Sequence, residues 1–405
     1  MIARVLVSER GPLASYLHRS LQAAGVETVA VHGEVEAAYV DEATFAMYVP
    51  GLDRTEDLVS AAMDSGCDAL HPGCGALAES ADLARAINLA GLVWLGPLPE
   101  QIEALADRWT TREIAIAAAI PVIPGSSPLL NVADLEEPVE RLGMPLWLKD
   151  AWGLQPEFVE RQDHLVTAVG QRIHSGQKVW VESHVGGARH VVVTVVADES
   201  GQAVPLGVRE RAIRGGGKLT IDQFPAPIGE DLTTALQDAA VAFADAVRYR
   251  GVGSVGFLVD QSSAAWCIGL RPRIQIGTLL NDAVLGVRMP EVQLRVAQSE
   301  PIGWTREDLQ ADLYALGLRI RVRDKGTLKA LDVPDGTFHT HMRPGLQASG
   351  LLGVLVVTAP TRHSVLVRAS GALRRMVVEG IETDIDDHLV SLGQSSFWHG
   401  EVAES

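Results

Sequence analysis

The chain has 405 residues, 47% of them apolar and 21% charged, with a formal net charge of −17 at pH 7. That length exceeds what one core covers and predicts two or three domains, while the acidic balance excludes a broad basic surface for nucleic acid or anionic membrane. No apolar run approaches the ~20 residues of a membrane helix, the three cysteines Cys67, Cys74 and Cys267 have neither disulfide nor metal-ligand spacing, and "MIARVLVSERG" lacks a signal-peptide core, so a reduced, cytoplasmic setting is expected.

In chain order, Met1 to Val7 is a short apolar run. Leu13, Leu17 and Leu21 recur every fourth residue, a helix stripe. "VETVAVHG" reads as a second strand. Strand, helix and strand within ~30 residues predict a parallel pair with a right-handed crossover. The pattern then repeats: "DLVSAAMDSG" as helix, "CDALHPG" as strand, "SADLARAINLAG" as helix, "LVWLG" as strand. Residues 1–97 are therefore expected to form a doubly wound α/β domain, and residues 98–121 a linking helix. "PVIPGSSPLL" marks a boundary. Residues 122–184 read as a smaller α/β unit, with "PLWLKDAWG", a helix near Asp163 to Ser175 and the strand "KVWVESHV". In residues 185–405, alternating strands begin at His190, with a hairpin turn in "ADESGQAV". A helix from Asp231 to Tyr249 and the strands "GSVGFLVD" and "SAAWCIGL" follow. The tail pairs the strand "VLVVTAP" with a helix over "RHSVLVRASGALRRMVVEG".

One stretch is chemically odd. "WCIGLRPRIQIGT", Trp266 to Thr278, runs from an apolar strand into Arg271, Arg273 and Gln275 without a carboxylate. The acids nearest in sequence are Asp260 and Asp282. Arginines so placed point to an anion, with acidic partners expected to be absent.

The order of pieces resembles a known family. "VSERGPLASYLHRSLQAAGVETVAVH" and "DALHPGCGALAESADLARAINLAGLVWLGP" are similar to the N-terminal domain of biotin carboxylase, the ATP-grasp component of acetyl-CoA and related acyl-CoA carboxylases. The family's His-Pro-Gly-Tyr-Gly-x-Leu-x-Glu is kept except that the Tyr is Cys74. "IPVIPGSS", "RLGMPLWLKDA", "RHVVVTVVAD", "YRGVGSVGFLVD", "RPRIQI" and "LRRMVVEGIETD" continue the resemblance in order. It implies an α/β fold with an N-terminal doubly wound (pre-ATP-grasp) domain, an ATP-grasp middle and a mixed α+β C-terminal domain. It also implies carboxylation of biotin with bicarbonate and MgATP, which needs metal-holding carboxylates, a glycine-rich phosphate loop and a base.

Carried over residue by residue, the resemblance places most of those parts at positions that cannot supply them. The two metal-binding glutamates fall at Gly256 and Gly269, and a helping asparagine at Arg271. The base falls at Gly277. The family's Arg-Arg-His-Gln-Lys falls on Gly215, Gly216, Gly217, Lys218 and Leu219, so its histidine is lost at Gly217 and its lysine at Leu219. A biotin-side arginine falls at Phe338 and a glutamate at Val192. The lid "DAWGLQPEFVERQD" has one glycine and the bulky Trp152, Pro156 and Phe158. Lys149, Glu182 and His190 remain as a residual nucleotide site, although Ser183 and His184 depart from the usual Lys-Tyr. Arg271, Arg273 and Gln275 remain as an anion site.

Plainer readings stand beside these. Lys149 can be a solvated strand end. Arg273 and Gln275 can pair with Glu182, Glu210 or Asp222 and hold strands together. "IRGGGK" reads as a hairpin, Cys74 as a core residue, and His339 with His341 lacks the further ligands of a metal site. Three functions stay open. The favoured one is a catalytically deficient biotin carboxylase homologue, a structural or regulatory partner of carboxylase subunits or of an active biotin carboxylase, in a homo- or heterodimer, with no cofactor beyond residual ATP. The others are a non-catalytic nucleotide or anion sensor, and a divergent ligase using Arg209, Arg211, Arg214 and Arg271 on phosphates.

Overall fold

The computed structural model describes residues 1–33, 37–151, 156–214 and 219–400. The N-terminal unit contains β1 (Arg4–Val7), α1 (Ala14–Ala23), β2 (Glu27–His32), β3 (Phe45–Tyr48), α2 (Thr55–Asp64), β4 (Ala69–His71), α3 (Ala81–Leu89) and β5 (Val93–Trp94). Its sheet runs β3-β2-β1-β4-β5 with every pair parallel. Helices cover both faces, so Val5, Leu6, Val7 and Val29 to Val31 are all buried. The edge strand β3 was not anticipated, because an exposed edge needs no apolar alternation: Phe45 and Tyr48 face solvent.

The expected single linker is two helices, α4 (Pro99–Ala106) and α5 (Arg108–Ala117). Asp107 makes the break, since its carboxylate accepts from the backbone N–H of Trp109 at 2.7 Å and Thr110 at 3.1 Å and so caps α5. A small unit follows: α6 (Glu136–Leu142), β6 (Leu146–Asp150), β7 (Glu157–Val159), α7 (Gln162–His174) and β8 (Val179–Ser183), with an antiparallel sheet β7-β6-β8. Leu146, Leu148, Val159, Leu165 and Val181 give it a core of its own.

A long antiparallel sheet forms the rest. Its strands are β9 (Arg189–Ala197), β10 (Ala203–Arg214), β11 (Leu219–Phe224), then after α8 (Glu230–Ala246) β12 (Gly251–Val259) and β13 (Ala265–Arg271). After α9 (Thr278–Leu285) and α10 (Met289–Ala297) comes β14 (Tyr314–Asp324). The order β13-β12-β9-β10-β11-β14 continues into strands Leu351–Ala359 and Thr337–Thr340, so one sheet runs through both the middle and the C-terminal parts. Helix α11 (Arg362–Arg375) stops before the expected "MVVEG", because Val377–Glu379 pairs as a strand with Ala330–Asp332, and two short helices, Ile385–Gly393 and Ser395–His399, follow. Among the described residues no helix is long and apolar enough to cross a membrane.

The N-terminal unit docks on α10. His71 Nε2 meets Gln293 Oε1 at 3.1 Å, Gln293 Nε2 donates to Leu95 O at 3.2 Å, and Met289 N donates to the Tyr16 hydroxyl at 3.2 Å. This brings the loop after β4, "HPGCGALAE", over the end of β13.

Candidate functional site

The site lies where β12 and β13 meet the N-terminal loop. Gly256 and Gly269 stand directly opposite each other on these strands, next to a bulge. A Cβ on Gly256 would lie 2.9 Å from Ile268 Cγ1, and one on Gly269 would lie 2.7 Å from Thr111 Cγ2. Gly269 also holds φ +111°, a conformation that side-chain-bearing residues rarely adopt. Space is thus tight at both positions, and at Gly269 the backbone is also set for glycine.

Beyond Arg271 the chain turns, with Arg273 N donating to Arg271 O at 2.9 Å, and Gly277 caps α9. A Cβ on Gly277 would lie 2.6 Å from Arg209 Cζ. The guanidinium of Arg209 fills that space. It is fully buried and is held by Asp222 Oδ1 at 3.1 Å and Gln275 Oε1 at 3.0 Å. Arg211 also donates to Gln275 Oε1, at 2.8 Å, and Arg319 donates twice to Asp222 Oδ2, at 3.1 and 2.7 Å. Burial pushes the Asp222 carboxyl up, but Arg319, Arg209 and Arg211 outweigh it and hold it down to about 2. Burial lowers Arg209 to about 9 against the pull of Asp222, with Arg211 and Arg319 adding to the fall.

Several expectations are corrected here. Arg271 and Arg273 do not lack an acid: Glu79 Oε1, from the N-terminal loop, lies 3.6 Å from Arg271 Nη1 and 3.1 Å from Arg273 Nε. Sequence distance hid this partner, although "HPGCGALAE" ends on it. Gln275 pairs with arginines rather than with Glu182, Glu210 or Asp222. Arg209 is not free to handle phosphate, because it is buried and bound.

Of the residues expected at the nucleotide end, Lys149 on β6 and Glu182 on β8 are brought together but satisfy each other, whereas His190 lies on β9, apart from them. Lys149 Nζ pairs with Glu182 Oε2, and Glu182 Oε1 accepts from Arg112 Nη1 at 3.1 Å and Trp180 Nε1 at 2.9 Å. The sequence gives no signal for Arg112, because its place on α5, nine residues before the boundary segment, carries no motif. His184 accepts from Trp147 Nε1 at 3.2 Å and packs on Phe158, ring centroids 4.9 Å apart. His190 lies beside the arginine cluster, where burial first and Arg211 and Arg209 next push its imidazole down to about 3. Burial first and Glu9 next raise the Cys74 thiol well above its ordinary range, which favours the protonated thiol. Trp152 and Gly215 to Lys218, with the lost histidine position Gly217, lie outside the described residues. Leu219 opens β11 in register with Arg214.

The implied divalent metal does not fit. Two glycines, an isoleucine side chain and a guanidinium offer no anionic oxygen at the place where carboxylates are required. Among the described residues no group of three or more His, Cys, Asp or Glu could hold a metal ion.

The fold and site define an ATP-grasp protein in which a small lid sheet faces a larger antiparallel sheet. Residues 1–102 match the model of the biotin carboxylase N-terminal domain, and residues 107–304 that of the carbamoyl-phosphate synthase L chain ATP-binding domain. The chain belongs to the biotin carboxylase family. It is 30% identical to the chloroplastic biotin carboxylase 2 of Populus trichocarpa, over 98% of this chain and 82% of that one. It is 29% identical to the biotin-dependent acyl-coenzyme A carboxylase alpha3 subunit of Mycobacterium leprae, over 96% and 70%. The biotin carboxylase domain dimer of Hydrogenobacter thermophilus 2-oxoglutarate carboxylase, solved with MgADP, ADP and bicarbonate, superposes with a TM-score of 0.92 at 25% identity, covering 100% of this chain and 96% of that one.

Proposed function

We propose that this protein is a catalytically deficient biotin carboxylase homologue that serves as a structural or regulatory partner of carboxylase subunits. The observation that carries the reading is the facing pair Gly256 and Gly269, neither bearing a carboxylate, with Gly269 in a backbone conformation that favours glycine and Arg271 close by. Phosphoryl transfer without metal gives up several kcal/mol of charge stabilisation, and a guanidinium cannot take the metal's place as a Lewis acid. Gly277 supports the same reading, because buried Arg209 fills the space of any side chain there. The likeness to an acyl-CoA carboxylase subunit and to a biotin carboxylase domain dimer supports partners of that kind and a dimer.

The test is ATP hydrolysis with free biotin, bicarbonate and Mg²⁺. The rate is expected to stay at background with and without biotin. Biotin-dependent hydrolysis above background would overturn the reading and favour a divergent ligase.

A further inference from the structure

Away from the cleft, a groove of about 420 Å³ lies between α8, the start of β10 and the loop at residues 305–307. That volume falls in the range of ligand pockets, about 300–1,000 Å³. Its floor is apolar: Val204 and Pro205 come from β10, and Val241 and Ala242 from α8.

The rim is acidic. Asp238 and Asp245 stand two turns apart on one face of α8, with Val241 and Ala242 between them, and Glu307 completes the rim from the loop. One guanidinium, Arg306, answers these carboxylates, and it is already held. It donates to Asp238 Oδ1 at 2.9 Å and to the Thr234 hydroxyl at 3.2 Å. Asp245 and Glu307 are exposed, and among the described residues neither has an ion-pair partner. An apolar floor under a negative rim matches a side chain with an alkyl stem and a cationic head, that is, lysine or arginine. The carboxylates spread over about 10 Å of helix, wider than one ammonium answers, which favours cations carried in series on one chain. A second copy of this protein fits poorly, because with a net charge of −17 it would bring the same sign to the groove.

We propose that this groove docks a basic amphipathic segment of a protein partner. Its lysine or arginine heads meet Asp245 and Glu307, and its apolar stems lie on Val204, Val241 and Ala242. The proposal rests on the reading of this chain as a partner of other subunits, and it gives that partnership a surface separate from the cleft. No change of shape is needed, since the groove is already open.

The experiment is calorimetric titration of the full chain, at constant ionic strength, with a synthetic amphipathic peptide of leucine, alanine and arginine. The peptide is expected to bind, and Asp245→Lys combined with Glu307→Lys to weaken it about tenfold or more. Glu136→Lys combined with Glu140→Lys makes the same change in net charge on α6, away from the groove, and should leave binding nearly unchanged. Ala242→Trp, which fills the floor without altering charge, should weaken binding as well; if it fails to fold by circular dichroism, the two exposed charge pairs decide. No binding, or an equal loss from both charge pairs, overturns the proposal, the latter because net charge alone would then attract the peptide. Lysine methyl ester binding as tightly as the peptide also overturns it, in favour of a small-amine site. Biotin-dependent ATP hydrolysis, assayed on the same preparation, separates the two ideas: hydrolysis defeats the pseudoenzyme reading, whereas absent hydrolysis with no peptide binding defeats this proposal alone.

Discussion

Asp222 shows what a single buried carboxylate does here. It accepts hydrogen bonds from Arg209 and Arg319, with Arg211 Nε 3.6 Å away, and it is 1% exposed. Its folded pKa of about 2 lies below the ordinary 3.8. Its stabilisation is therefore present above about pH 4 and lost as pH falls towards 2. At pH 7, Asp222→Asn leaves three guanidiniums around a neutral amide, and a loss of about 3–5 kcal/mol is expected from urea denaturation. A loss near zero would mean that the arginines find other anions. None of this partnering was legible in the sequence. Asp222 and Arg209 lie on neighbouring strands, but Arg319 is 97 residues away, and only the sheet order makes them neighbours.

Strands β12 and β13 illustrate the limits and the strength of reading an element. Their existence followed from the apolar runs "GSVGFLVD" and "SAAWCIGL", and so did the adjacency of Gly256 and Gly269, once the family resemblance was recognised. The bulge that gives Gly269 φ +111° did not follow, because it arises from pairing and not from local propensity. Gly269→Glu is therefore expected to cost about 1–3 kcal/mol through backbone strain. Thermal unfolding with and without Mg²⁺ would check this, with the variant gaining no Mg²⁺-dependent stabilisation. The helix boundaries teach the same lesson. Asp107 splits the linker because its side chain caps α5, and α11 ends where Val377–Glu379 finds a strand partner.

For the whole molecule, acid sensitivity comes from histidines before carboxylates. Burial pushes His18, His71 and His339 each down to about 4, from an ordinary 6.5. Below pH 6.5 the unfolded chain binds protons that the folded chain refuses, so stability falls as pH drops from 6.5 towards 4. With His190, pushed down to about 3, four such groups give a slope of up to about 5 kcal/mol per pH unit, steep against a total stability of about 5–15 kcal/mol. Unfolding should thus precede the titration of Asp222. His18 is fully buried with both ring nitrogens unpartnered, stacked on Tyr39 at 6.3 Å. His18→Phe should raise stability at pH 7 by about 1–2 kcal/mol and flatten the acid slope by about one proton, read from urea midpoints across pH 5 to 7.

The sequence by itself determined the layered α/β architecture, because periodicity and turn residues act locally. It also determined the absence of carboxylates at positions 256, 269 and 277, because residue identity needs no fold. Only the tertiary structure decided which charges meet. Glu79 reaches Arg273 across nearly two hundred residues, and Lys149 turns to Glu182. Electrostatic partnership depends on distance in space, and the sheet order and domain docking that set it are not written in any one segment.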